Sequence, residues 1–144
     1  VSDLFRGAVS GGAPLFAVIA PVRRNGEIVQ LLSFSLEVER LRRLLVDAEL
    51  PPGWTASIVD RSGTILARRA RHEELAGTRA TPDLLAATTG REGVWEGTTA
   101  DGQPVLGAYA RSAVSGWRVA VGVSLAELSR PLRQSLAVLA GLVL

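Results

Sequence analysis

The chain contains no cysteine, no methionine and no lysine, and only one histidine and one tyrosine. Without cysteine there is no disulfide, no thiolate metal site and no cysteine nucleophile, a composition that fits an oxidising compartment without requiring one. Without methionine there is no initiator, so the chain is expected to be part of a longer protein. Without lysine, all 16 basic residues are arginine, and the pI of 10.3 reflects that lack rather than a basic surface. Fourteen acidic residues leave a net charge of +2. With arginine scattered through every segment, no electrostatic footprint for nucleic acid emerges.

The scarcity of histidine also limits enzyme chemistry. Ser-His-Asp hydrolysis needs an imidazole fixed beside a nucleophile, but His72 stands in the polar stretch Arg71-His72-Glu73-Glu74, with no nucleophile-elbow motif nearby. That stretch is expected to be an exposed loop or a single helical turn. One histidine and scattered carboxylates make no convincing metal set. The Gly11-Gly12 pair lacks the lysine and helix that a phosphate loop requires. The expectation is a chain with no catalytic residue, metal or cofactor and no turnover of its own.

What is present is a series of hairpin signals. Pro14 to Arg23 and Glu27 to Leu36 are largely apolar runs joined by Asn25-Gly26, the dipeptide of a type I′ turn. Val1 to Gly7 reads as the end of a preceding element. Val38, Leu41, Leu44 and Leu45, interleaved with Arg40, Arg42 and Arg43, have helical spacing with a wet face. Pro51-Pro52-Gly53 stops this helix and is the best candidate linker.

Beyond it, strands are predicted at 54–59, 64–68, 93–99, 105–111 and 117–123. Asp60 and Gly63 mark the first turn, Asp101-Gly102 and Ser115-Gly116 the later ones. Between them lies a short helix with Thr81 as N-cap, Pro82 at the first position, Asp83 in the first turn and Gly90 closing the end. Two strands, helix, three strands is a PAS-like order. A final helix opens with the capping box Ser124-Leu-Ala-Glu127 and carries Leu125, Leu128, Leu132, Leu136 and Leu139 along one side, with Pro131 either bending it or marking where one helix hands over to another. Ser135 to Leu144 reads either as the start of a transmembrane span, for which about 20 apolar residues are needed, or as a core helix.

The segment Val1-Ser-Asp-Leu-Phe-Arg-Gly7, the strand ending Ala20-Pro-Val22, Asn25-Gly26, Pro51-Pro-Gly-Trp54, Asp60-x-x-Gly63 and Ser115-Gly-Trp117 together resemble double Cache sensor domains. These are the extracytoplasmic sensing regions of bacterial histidine kinases, diguanylate cyclases and chemoreceptors. The resemblance implies an α+β fold whose PAS-like antiparallel sheet is flanked by helices, with the last strands of a preceding PAS-like module at the N-terminus. It divides the chain into a C-terminal part of a membrane-distal module with its linker helix (1–46), a membrane-proximal module (47–123) and a juxtamembrane helix entering a span (124–144). It further implies a small-molecule ligand, a homodimeric receptor in the inner membrane with its sensor in the periplasm, and a histidine kinase as the output.

Members that bind free amino acids carry an aspartate on the last strand of the distal module. Ser35 stands at the matching position here, and a neutral hydroxyl cannot hold an ammonium group, which argues against an amino-acid sensor of the common type. The ordinary reading of Ser35 is a core-facing strand residue. Tyr109 and Arg111 alternate on one strand and so share a face. On an inner face, Arg111 could bind an anion and Tyr109 wall the pocket; on an outer face both would be solvated. Trp95 and Trp117 read as packing residues. A ligand-free structural or dimerisation module is the competing reading, separated from a sensor by whether the inner pocket is polar or filled with Leu, Val and Trp.

Overall fold

The computed structural model describes residues 1–7 and 11–130. The expectations placed on Pro131, Leu132, Leu136, Leu139 and Ser135–Leu144 lie outside the described residues.

Two antiparallel sheets are present. The first contains β1 (Phe5–Arg6), β2 (Pro14–Arg24) and β3 (Glu27–Glu37), in that spatial order. Asn25 and Gly26 have φ of 51° and 85°, the double positive φ that a type I′ turn demands. α1 (Glu39–Asp47) follows, with Val38 and Leu45 buried. Leu44, expected on the apolar side, is exposed instead. Val38, Leu41 and Leu45 recur at three and four residues and share a stripe, and Leu44 stands about 100° round the helix from Leu45.

The second sheet contains β4 (Trp54–Val59), β5 (Ile65–Arg68), β6 (Glu92–Thr98), β7 (Pro104–Arg111) and β8 (Arg118–Ser124), ordered β5-β4-β8-β7-β6. α2 (His72–Leu75) and α3 (Pro82–Ala87) sit between β5 and β6, giving the PAS-like order of two strands, helices and three strands. At the β4–β5 turn, Asp60 Oδ1 accepts from the Thr64 N–H (2.8 Å), and Gly63 adopts φ +90°.

Thr81 caps α3 by accepting from the Leu84 N–H. The helix ends earlier than Gly90: the buried Thr88 donates its hydroxyl to Leu84 O at 2.7 Å, closing the last turn. Gly90 lies beneath the Tyr109 hydroxyl, 3.1 Å from where a Cβ would stand. β8 runs directly into helical backbone over 125–130. There Ser124 Oγ accepts from the Ala126 N–H, while Glu127 pairs with Arg130 rather than completing the capping box.

The five-stranded sheet is packed on both faces. One cluster joins Ala56, Ile58, Leu66 and Trp117 to Phe16, Val38 and Leu45, so α1 and the first sheet sit on one side. Phe16 meets Trp117 edge-on with ring centroids 5.2 Å apart. The other cluster, on the α3 side, contains Val59, Ile65, Ala80, Leu84, Trp95, Val105, Tyr109 and Ala120.

Candidate functional site

The α3 side of the sheet is not filled by apolar side chains alone. Thr55 and Ser57 are two residues apart on β4 and point to the same side, and Arg68 at the end of β5 lies opposite Ser57. These three, with Trp95, Thr81, Thr99 and apolar neighbours including Ile65, Leu84 and Ala120, line a cavity of about 30 Å³. A groove of about 620 Å³ lies against it, and Ala80, Thr81 and Ala100 line both spaces.

Small residues make the cavity possible. Gly107 on β7 faces Gly122 on β8. A Cβ on Gly107 would stand 2.6 Å from Trp95 Nε1, so the indole of Trp95 lies over a strand position where only glycine fits. Trp95 is 5% exposed, and its Nε1–H has no hydrogen-bond partner among the described residues. A buried donor left unpaired is costly; this one packs over Gly107, while Trp95 as a residue lines the cavity.

Arg68 is the charged group of the site. Its side chain is 5% exposed and its Nη2 donates to Asp101 Oδ1 at 2.5 Å. Thr99 Oγ1 donates to the same oxygen at 2.7 Å. Nε and Nη1 of Arg68 make no hydrogen bond within the described residues. Desolvation opposes ionisation of Asp101, but the hydrogen bonds from Thr99 and Arg68 and the arginine charge outweigh it, holding the carboxyl below its ordinary range.

The Arg68 N–H donates to His72 Nδ1 at 3.2 Å, which assigns the proton of the neutral imidazole to Nε2. Nε2 faces Glu39 Oε2 of α1 at 3.8 Å. The single helical turn at 72–75 is therefore as expected, but His72 is buried against β5 rather than exposed in a loop. Among the described residues no group of three or more His, Cys, Asp or Glu side chains could hold a metal ion.

No family model and no curated protein matches the chain. Solved structures do. The extracellular domain of mmHK1S-Z3, assigned as a histidine kinase, superposes with a TM-score of 0.73 at 16% identity over 93% of this chain and 52% of that one. Methyl-accepting chemotaxis protein X gives 0.63 at 19%, covering 85% and 49%. The ligand-binding domain of the Pseudomonas fluorescens chemoreceptor CtaA in complex with L-serine gives 0.58 at 16%, covering 85% and 53%. The chain has the fold of a Cache-type sensor domain. It spans about half the length of the solved structures that it matches.

Within this Cache-type fold, the residues singled out in the sequence are not brought together. Ser35 is exposed on β3 opposite Ala17, in the other sheet, and does not face a core among the described residues. Tyr109 and Arg111 do share the α3 side of β7. Tyr109 is buried over Gly93. Arg111 is committed to backbone carbonyls, its Nε donating to Gly116 O at 3.1 Å and Nη1 to Thr89 O at 3.5 Å. Its cross-strand neighbour Arg118 donates in the same way to Thr88 O and Asp60 O. Burial and the nearby Arg111 charge both lower the pKa of Arg118. Neither Tyr109 nor Arg111 lines the cavity. Sequence reading missed Thr55, Ser57 and Arg68; the available signal was two hydroxyls at strand alternation and an arginine ending an otherwise apolar strand.

Proposed function

We propose that this chain is the sensing and relaying part of a bacterial transmembrane receptor. On this reading it lies in the periplasm, is tied to the inner membrane by the helix that starts after Ser124, and works as a homodimer with a histidine kinase as output. The observation that carries the reading is the likeness to the mmHK1S-Z3 extracellular domain over 93% of the chain. Mlp24 and CtaA have ligand-binding domains of this fold seen with asparagine and L-serine, which supports a small-molecule ligand of some class here.

The join between sheet and helix supports a relay. β8 passes into helical backbone at 125 with no intervening loop. Glu127 packs against Gly53 of the Pro51-Pro52-Gly53 linker, where a Cβ would come within 2.7 Å of its Cγ. A rigid connection of this kind passes on small displacements, because packed interfaces switch between discrete arrangements.

The cavity's small size favours a second reading, a ligand-free structural module of the same fold. A thermal-shift screen of small metabolites on the isolated chain, followed by ATP-dependent autophosphorylation of the full-length receptor in nanodiscs, separates the two. Ligand-dependent stabilisation and ligand-dependent output support the sensor. Neither effect with any compound supports the structural module.

A further inference from the structure

We propose that His72 is a proton-driven latch between the five-stranded sheet and the N-terminal half of the chain: neutral, it is bonded to β5; protonated, it leaves that bond for Glu39 of α1. The latch stands on geometry alone, while its use as a receptor signal rests on the sensor reading.

The imidazole is 7% exposed, and its two nitrogens face different parts of the fold. Nδ1 accepts from the Arg68 N–H of β5. Nε2, which carries the proton, faces Glu39 Oε2 at 3.8 Å, beyond hydrogen-bond reach. A proton added to the neutral ring can enter only at Nδ1, where the lone pair is already taken by the Arg68 N–H. Two donors then point at each other, and the bond to β5 is lost. The same proton creates a charge opposite Glu39, and that pairing becomes a charge-assisted hydrogen bond once the ring moves toward α1.

The surrounding charges favour this direction. Glu37 at the end of β3, Glu39 on α1 and Glu73 on α2 itself line, with His72, a groove of about 190 Å³ to which β2 adds only Pro14. Glu39 gives its other oxygen to Arg42 at 2.7 Å, and Glu37 and Glu73 are unpaired among the described residues. At the end of β5 stand Arg68, whose guanidinium Asp101 holds, and Arg69. An imidazolium therefore meets arginines on the β5 side and carboxylates on the groove side.

The element that carries His72 is a single turn, and the groove gives it space. Arg71 before it and Gly77 after it have φ of 53° and 83°, a conformation that an arginine holds only under strain. The Gly77 N–H bonds Ile65 O at 2.8 Å, which confines the movement to the turn.

The test follows the isotope-labelled chain by NMR, any purification tag removed, from about pH 8 to pH 5, the range in which histidine changes charge. His72 is the only histidine, so its ring signals are assigned at once. The expected result is the Nε2–H tautomer at high pH. On protonation, the Arg68 amide signal should shift and its hydrogen-exchange protection, corrected for the intrinsic rate, should fall roughly tenfold, as for one lost hydrogen bond. Glu39→Gln should move the transition to lower pH, because the charge that receives the imidazolium is gone. His72→Asn, whose Oδ1 can accept from the Arg68 N–H in place of Nδ1, should hold the Arg68 signal constant.

If His72→Asn does not fold, wild type and Glu39→Gln decide. An Arg68 amide indifferent to the ring's titration, a ring that stays neutral to pH 5, or a Glu39→Gln transition at the wild-type pH each overturns the latch, and the sensor reading then still stands on its own. A working latch in a full-length receptor whose response to external pH is unchanged by His72→Asn keeps the latch and removes its signalling role.

Discussion

Gly107 and Gly122 face each other across β7 and β8, yet an added methyl should have opposite consequences at the two positions. At Gly107 the new Cβ would stand 2.3 Å from Val121 O, 2.6 Å from Trp95 Nε1 and 3.0 Å from Gly122 Cα. Two of those three atoms are backbone, so no rotamer change relieves the overlap. At Gly122 the nearest atoms are Val105 Cβ and Cγ2 at 3.4 and 3.5 Å, ordinary contact. Overpacking costs about 1–3 kcal/mol, and the backbone clash puts Gly107→Ala at the upper end. Replacing glycine also restricts the unfolded chain, a gain of about 0.4–1 kcal/mol common to both variants. The two should therefore differ by about 2–3 kcal/mol, with Gly107→Ala destabilised and Gly122→Ala near neutral or slightly improved. At about 2–4 °C per kcal/mol for a chain of this size, the Tm values separate by roughly 5–10 °C. Urea unfolding followed by tryptophan fluorescence measures the difference, with m unchanged if both variants keep the fold. Equal stabilities, within about 0.5 kcal/mol, would mean that Trp95 does not lie over Gly107 and that the cavity wall is misplaced.

Removing one member of the Arg68–Asp101 pair, by Arg68→Met or Asp101→Ala, should cost about 3–5 kcal/mol because the other charge is left buried; the double variant should cost much less than the sum, and a double-mutant cycle in urea measures this. The depressed Asp101 pKa contributes stability that is fully present above the unfolded-state value and lost as pH falls through the folded one. Wild type should accordingly lose more stability than Asp101→Asn between about pH 5 and pH 2 by chemical denaturation. Thr88→Val removes a buried hydroxyl that donates to Leu84 O and should lower stability by about 0.5–1.5 kcal/mol. Leu66→Ala, at a position with no exposure, should cost about 2–5 kcal/mol.

The legible parts of this fold are local. Asn25-Gly26, Asp60-x-x-Gly63 and Thr81-Pro82 each set their turn or cap within a few residues, and the strands they delimit begin and end within about a residue of expectation. Leu44 and Gly90 were misjudged where two neighbouring residues competed for one role, Leu45 taking the core and Thr88 the helix end. The candidate site was hidden for a different reason. Arg68 and Asp101 are 33 residues apart, and each reads locally as a strand end or a turn residue. His72 is buried by a backbone bond to Arg68 that no spacing announces. Ser35, singled out through a resemblance, stands on the first sheet, away from the cavity.

Asp60 sets where this chain can be cut and recombined. Its buried carboxylate accepts from Thr64 N and the Ser62 hydroxyl at Oδ1 and from Leu4 N at Oδ2. Next to it, Arg61 binds the Asp3 carboxylate and Val1 O. Pro51-Pro52-Gly53 looks like the natural splice point for exchanging the part before it with that of another chain of this fold. A chimera joined there would lose partners on both sides of the splice, stranding one oxygen of Asp60 in the protein interior. Exchange should succeed only when residues 1–4 and the 60–64 turn travel together, which makes a carboxylate 56 residues away from its amide partner the true seam of the molecule.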